Sequence, residues 1–142
     1  MKLSAKEIVD QMFDNDPFSQ WLGIERIEDG VGISVLKMLV RKDMMNGFGV
    51  AHGGISYSLA DSALAFSSNA YGNQALSVDT SISQTKKVLE GDVLTTRVEE
   101  VSRSNRIANY QVYIENQNKE LVALFKGTVY ITQKEWSAKD QH

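Results

Sequence analysis

Asp61 is the one acidic side chain in the run 53–72, GGISYSLADSALAFSSNAYG, and it follows the triplet His52-Gly53-Gly54 by eight positions from the first glycine. Each part of that arrangement has a chemistry. Gly53 and Gly54 place no side chain at the start of a helix, so backbone N–H groups there are open to a ligand, and the positive end of the helix dipole favours negative charge. A developing oxyanion needs such donors. Ile55, Leu59, Ala63 and Phe66 recur at helical spacing, and Ala60, Leu64 and Ala65 fill the remaining sides, which predicts a buried helix. Asp61 is then a carboxylate in apolar surroundings, where the charged form is costly and the pKa is displaced, as happens at functional sites. Taken singly, the triplet reads as a tight turn and Asp61 as a structural hydrogen-bond acceptor; their combination points to a site.

Asn46-Gly47, His52-Gly53-Gly54 and Leu59-Ala60-Asp61 together closely resemble the hotdog-fold acyl-CoA thioesterases of the phenylacetic-acid-degradation (PaaI) type, over nearly the whole chain. The resemblance implies an α+β hotdog fold, one long helix wrapped by a curved antiparallel sheet. It also implies an aspartate that acts on a thioester and a backbone N–H, on the glycine after the histidine, that polarises the carbonyl. Those roles fall on Asp61 and Gly53, with Asn46 and His52 completing the pocket and Gly54 beside the substrate. The implied reaction is hydrolysis of an acyl-CoA, with aryl or arylacetyl thioesters such as phenylacetyl-CoA first and short or medium aliphatic ones next. Coenzyme A is part of that substrate, so no separate cofactor is expected. Asp61 either attacks the carbonyl to form an anhydride or deprotonates a water that attacks, and the sequence does not choose. His52 also reads as a helix-entry residue bonded to backbone, and Asn46 as a turn former.

On a continuous helix the eight steps from Gly53 to Asp61 span roughly 12 Å, too far for both to act on one carbonyl. Either the two never cooperate, or the amide of one subunit meets the aspartate of another in a two-fold dimer. The second reading is taken, and the resemblance agrees with it, extending it to a homotetramer built as a dimer of dimers. Lys86, Lys87, Arg103, Arg106 and Lys126 are candidates for the CoA phosphates, since point and forked cations suit phosphate oxygens. Each equally reads as a solvated surface charge, and the arginine-proline pair that many family members carry near positions 86 and 87 is absent. Tyr57, Phe48 and Tyr71 are candidates for an aromatic acyl pocket, against the plain reading of core aromatics.

The 142 residues suit one domain with a real core. A net charge of −3 argues against a general nucleic-acid binder. Without cysteine there is no thiol nucleophile, thiolate metal site or disulfide, and with His142 as the only other histidine a histidine metal centre is not expected. No signal-peptide core and no membrane-length apolar run is present, so a cytoplasmic protein with no membrane partner is expected.

Along the chain, Ser4 and Glu7 predict a capping box for a short helix in an N-terminal segment, 1–20. Asp14-Asn15-Asp16-Pro17 ends that helix, and Phe18, Trp21 and Leu22 offer a second apolar turn. Strands are predicted over 23–28 and 31–40, with Asp29-Gly30 as their turn. The second is apolar on both faces, as if covered on both sides. The loop 46–51 lacks the GK[ST] ending of a P-loop and the GxGxxG of a dinucleotide site. Gly72 is a candidate left-handed helix cap. Four further strands are predicted over 75–84, 93–101, 107–115 and 121–132. In the first, Leu76, Val78, Thr80 and Ile82 share one face; Ser77, Asp79, Ser81 and Ser83 share the other, which either lines the bound ligand or faces solvent, with solvent the reading taken. The segment 134–142 reads as a flexible tail, with Trp136 its one large apolar residue. Two other functions fit the same fold: a non-catalytic acyl-CoA sensor, and an enoyl-thioester hydratase. The first would need an effector module. The second would need aspartate and histidine together in one hydratase motif.

Overall fold

The structure, a computed structural model, describes residues 2–138. Ser4 caps the first helix, α1 (Ala5–Asp14): its hydroxyl accepts from the Glu7 N–H while the Glu7 carboxylate accepts from the Ser4 N–H, the capping box read from sequence. Pro17 opens α2 (Pro17–Trp21) at the position where its missing N–H costs nothing, with Asp16 as cap. The strands are β1 (Glu25–Gly30), β2 (Ile33–Leu39), β3 (Asn73–Gln84), β4 (Val93–Arg103), β5 (Ile107–Glu115) and β6 (Leu121–Glu135), and α3 (Gly53–Asn69) lies between β2 and β3. They form one antiparallel sheet in the order β1-β2-β4-β5-β6-β3. This is the expected hotdog fold.

Burial explains the arrangement. Ile55, Leu59, Ala60, Ala63, Leu64 and Phe66 of α3 are buried with Leu36, Met38, Leu94, Tyr110, Val112, Ile114 and Phe125 from the inner face of the sheet. The opposite flank of α3 is covered by the N-terminal helices, where Phe13 meets Phe66 edge to face at 6.4 Å and the Ser19 and Ser62 hydroxyls pair at 2.8 Å. A helix covered on both sides is apolar nearly all round, as its sequence requires. Gly127 of β6 lets α3 come this close, because a Cβ there would lie 2.6 Å from a Leu64 methyl. No helix among the described residues is long and apolar enough to cross a membrane.

Three expectations are corrected, and one face of β2 is open in the single chain. The β1–β2 turn is Val31-Gly32, with Gly32 at φ +70, and Asp29 lies inside β1 with its carboxylate 2.6 Å from Arg26. The supposed tail is ordered through Ala138: β6 runs to Glu135, and the Trp136 indole N–H donates to Asn69 Oδ1 at 2.9 Å. Positions 139–142 of that tail lie outside the described residues, as does His142. In β3 the register slips between Ser77 and Asp79. A bulge adds one residue and swaps the faces, so Ala75 and Ser77 point to the helix side before it and Thr80, Ile82 and Gln84 after it, while Leu76 is 65% exposed. In β2, Ser34, Leu36 and Met38 are buried, whereas Ile33 and Leu39 on the other face are exposed in this chain.

Candidate active site

Two hollows lie along α3. The first is at its N-terminus. Residues 44–52 fold back on themselves: the His52 N–H donates to Met44 O (2.8 Å), the Asn46 N–H to Val50 O (2.8 Å) and the Ala51 N–H to Val88 O (2.7 Å). This places His52 at the cap with extended backbone (φ −61, ψ 132) and its Nδ1 accepting from the Gly54 N–H at 3.1 Å. The Gly54 amide is therefore not open, which corrects the expectation for that residue, and His52 serves its helix. The Gly53 N–H has no hydrogen-bond partner among the described residues, and the Gly53 carbonyl accepts from Gln84 Nε2 at 3.1 Å. An unpaired N–H at the positive end of a seventeen-residue helix is a preformed anion donor. The hollow before it, about 350 Å³, is lined by Gly53, Ser56, Gln84, Lys86, Lys87 and neighbouring backbone. Asn46 Oδ1 accepts from the Phe48 and Val50 amides at 2.9 and 3.3 Å, an Asx turn that leaves the carboxamide N–H groups as its donors.

The second hollow, about 300 Å³, lies between α3, the start of β3 and the N-terminal helix. Asp61 and Ser77 line it together with Met12, Leu64, Leu76 and Trp136. Burial raises the Asp61 pKa from the ordinary carboxylate value, and the Asp16 carboxylate raises it further; no hydrogen bond from the described residues holds the charge. Asp16 is fixed by Ser19, whose N–H and hydroxyl both donate to it, at 3.0 and 2.6 Å. A carboxylate destabilised in its charged form and left without a partner is a ready base.

Thus Gly53 gathers with Lys86 and Lys87, and Asp61 stands apart, on a different hollow of the same unbroken helix. Lys86 pairs with Glu120 at 3.0 Å. Arg103 and Arg106 do not join them. Gln84 is level with Ile114 through Ala123, and Ile107 is level with Tyr130, so the arginines lie seven strand positions away, roughly 23 Å. Arg103 sits over the Tyr71 ring at 3.4 Å and beside Glu100, and Arg106 donates to the Tyr130 hydroxyl at 3.2 Å. Lys126 faces outward in a separate polar hollow with Asp79 and Gln111. Tyr57 bonds Thr80 through its hydroxyl and packs edge-on against Phe125, outside both hollows. Tyr71 donates to Glu100 at 2.8 Å, and Phe48 is 91% exposed at its loop tip.

Sequence reasoning preferred solvent over ligand for the face that carries Ser77, and it missed Gln84, Met12 and Trp136. Ser77 was hidden by the bulge. Trp136 had one signal, a large aromatic alone in a polar tail.

The thioesterase superfamily profile matches residues 48–123, spanning the Gly53 corner, Asp61 and Ser77. The chain belongs to the thioesterase superfamily. It is a thioester hydrolase. The acyl-coenzyme A thioesterase PaaI of Escherichia coli is 34% identical, over 82% of this chain and 83% of that one. A putative esterase of Archaeoglobus fulgidus is 37% identical, over 89% and 82%. The solved E. coli PaaI protein, from the phenylacetic acid degradation operon, superposes with a TM-score of 0.90 at 31% identity, covering 94% of this thioesterase and 96% of that chain. A hypothetical thioesterase of Streptococcus pneumoniae solved with coenzyme A gives 0.76 at 26% identity, covering 80% and 91%. That protein has also been solved with an aspartate and, separately, a threonine replaced by alanine, at 26% and 27% identity and a TM-score of 0.74 each, covering 77% of this chain and 90% and 89% of those.

Proposed function

We propose that this enzyme hydrolyses acyl-CoA thioesters, compact aryl or arylacetyl ones such as phenylacetyl-CoA first, in sites shared between two copies of the chain. One observation carries the reading. Along a single straight helix the open Gly53 amide and the unpartnered Asp61 carboxylate face different hollows, yet thioester cleavage needs an anion donor and a base at one carbon. Two-fold pairing brings the Gly53 corner of one copy to the Asp61 hollow of the other, twice.

In that site Asp61 takes a proton from water, which adds to the thioester carbonyl, and the Gly53 N–H receives the developing oxyanion. Collapse breaks the C–S bond, releasing the acid and the CoA thiolate, which takes up the proton. Ser77 supports the water route, because a hydroxyl on the same hollow as the carboxylate can hold the attacking water. The threonine changed in one S. pneumoniae variant lies sixteen positions after the aspartate changed in the other, the interval from Asp61 to Ser77. Lys86 and Lys87, beside Gly53, suit the CoA phosphates, in line with the CoA-bound relative. The acyl end then lies in the Asp61 hollow, whose apolar lining suits a ring.

Free-thiol release from a panel of acyl-CoAs tests the reading: Asp61→Asn is expected to lose cleavage while keeping its fold, and an active Asn variant would remove it. Single turnover in ¹⁸O-water is expected to label the released acid and leave Asp61 unlabelled. Label in Asp61 would show the anhydride route instead.

A further inference from the structure

Trp136 is anchored more firmly than a chain end needs. Its backbone N–H donates to Gly72 O at 2.8 Å and its indole N–H to Asn69 Oδ1 at 2.9 Å. Gln11 of α1 then holds the next residue, donating from Nε2 to Ser137 O at 3.0 Å. Asn69 is itself immobile: it is buried, its Nδ2 donates to Ala65 O and Ala75 O at 2.8 and 3.0 Å, and its Oδ1 also accepts from the Ala75 N–H at 2.8 Å. The indole is thereby locked against the last turns of α3, where it lines the same hollow as Asp61. Asn69 follows Asp61 by eight helical positions, roughly 12 Å at 1.5 Å per residue, so Asp61 and the indole anchor mark the two ends of that hollow.

We infer that Trp136 is the end wall of the acyl site and limits the length of the acyl group that the enzyme accepts. The inference rests on the proposed function, in which the acyl group enters the Asp61 hollow. Its size fits the role. A closed cavity of about 150 Å³ already takes a benzene ring, so about 300 Å³ takes a ring with its linker, or a short chain. A long straight chain runs into the indole, whose ring nitrogen is tied to Asn69 and whose backbone is pinned by two more hydrogen bonds, so it does not swing aside. Met12, Leu64 and Val129 give the approach to that wall its apolar sides. Trp136 touches the acyl group and no reacting atom, so it sets specificity and takes no part in bond making.

Two measurements on the full chain test this. In the first, kcat/KM is compared for phenylacetyl-CoA and dodecanoyl-CoA in the wild type and in Trp136→Ala. The substitution is expected to raise the dodecanoyl-to-phenylacetyl ratio by about tenfold or more, the scale on which apolar pocket walls discriminate. The second leaves the wall intact, so it survives a failure of Trp136→Ala to fold. Trp21→Phe makes Trp136 the only tryptophan, and its fluorescence is titrated with a non-hydrolysable phenethyl-CoA thioether and with free CoA. The thioether is expected to shift or quench the emission, and free CoA to leave it unchanged. Hydrolysis with an unchanged length ratio, and a silent Trp136 while the thioether inhibits competitively, would overturn the wall alone. A tryptophan response to the thioether without hydrolysis of any thioester would keep the wall and remove the catalytic reading.

Discussion

Gly127→Ala adds one methyl group at the point where β6 meets the helix that carries Asp61. The new Cβ would lie 2.6 Å from Leu64 Cδ2 and 3.1 Å from a Phe125 ring carbon, and both neighbours are buried. Carbon atoms settle at about 3.5–4.0 Å, so Leu64 or the whole of α3 has to retreat by roughly 1 Å. Over-packing of this kind costs about 1–3 kcal/mol. Replacing glycine within a strand returns about 0.5–1 kcal/mol, and Gly127 has no positive φ to oppose the change. The net loss is up to about 2.5 kcal/mol and about 1 kcal/mol at the middle of the two ranges, which for a chain of this size lowers the melting temperature by about 2–8 °C. Because Leu64 follows Asp61 by one helical turn and lines the same hollow, kcat/KM is expected to fall as well. Thermal unfolding followed by circular dichroism reads the first effect and thiol release the second. Leu64→Ala supplies the control: alone it costs about 2–5 kcal/mol, and combined with Gly127→Ala it is expected to cost less than the sum, since the new methyl fills part of the cavity. A Gly127→Ala protein as stable and as active as the wild type would refute this packing.

Two further outcomes concern the carboxylates. Folding raises the Asp61 pKa above its unfolded value, so its ionised form is penalised in the folded state. The penalty grows as pH rises from the unfolded value through the folded one and persists at neutrality. Asp61→Asn is therefore expected to be more stable than the wild type at pH 7, with the gain vanishing below the ordinary aspartate value of 3.8; an Asn variant less stable at pH 7 would contradict this. Asp16→Asn keeps a competent helix cap but removes the charge that helps hold the Asp61 pKa up. The acid limb of kcat/KM is expected to move to lower pH, and a limb that stays in place would show that Asp16 does not act on Asp61.

Locally written features were legible in the sequence. The Ser4–Glu7 capping box, the all-round apolar helix α3 and the strand over 107–115 each carry their cause within a few residues, and the structure shows all three. The Asp29-Gly30 turn failed because Asp29 is bound by Arg26 and the turn needs the left-handed Gly32. Trp136 failed because its partners, Gly72 and Asn69, lie more than sixty residues away. Ser77 failed because a bulge is a mismatch with β6, invisible in β3 alone. In the candidate site, the apolar setting of Asp61 and the open Gly53 amide were legible from residue type and spacing. The capture of the Gly54 amide by His52 was not, since it depends on how the loop 44–52 folds back.

Complementation between two inactive variants tests the shared site most directly. Asp61→Asn removes the proposed base. Gly53→Pro removes the proposed oxyanion donor at a helix position that proline favours, behind a residue already extended at ψ 132. Each variant alone is expected to be inactive. Unfolded together and refolded, they are expected to recover about a quarter of wild-type activity, because half of randomly mixed dimers pair the two variants and each such dimer holds one intact site. Recovery no greater than the sum of the separate proteins, in a mixture shown to contain the mixed dimer, would contradict the pairing of Gly53 with Asp61 across two chains.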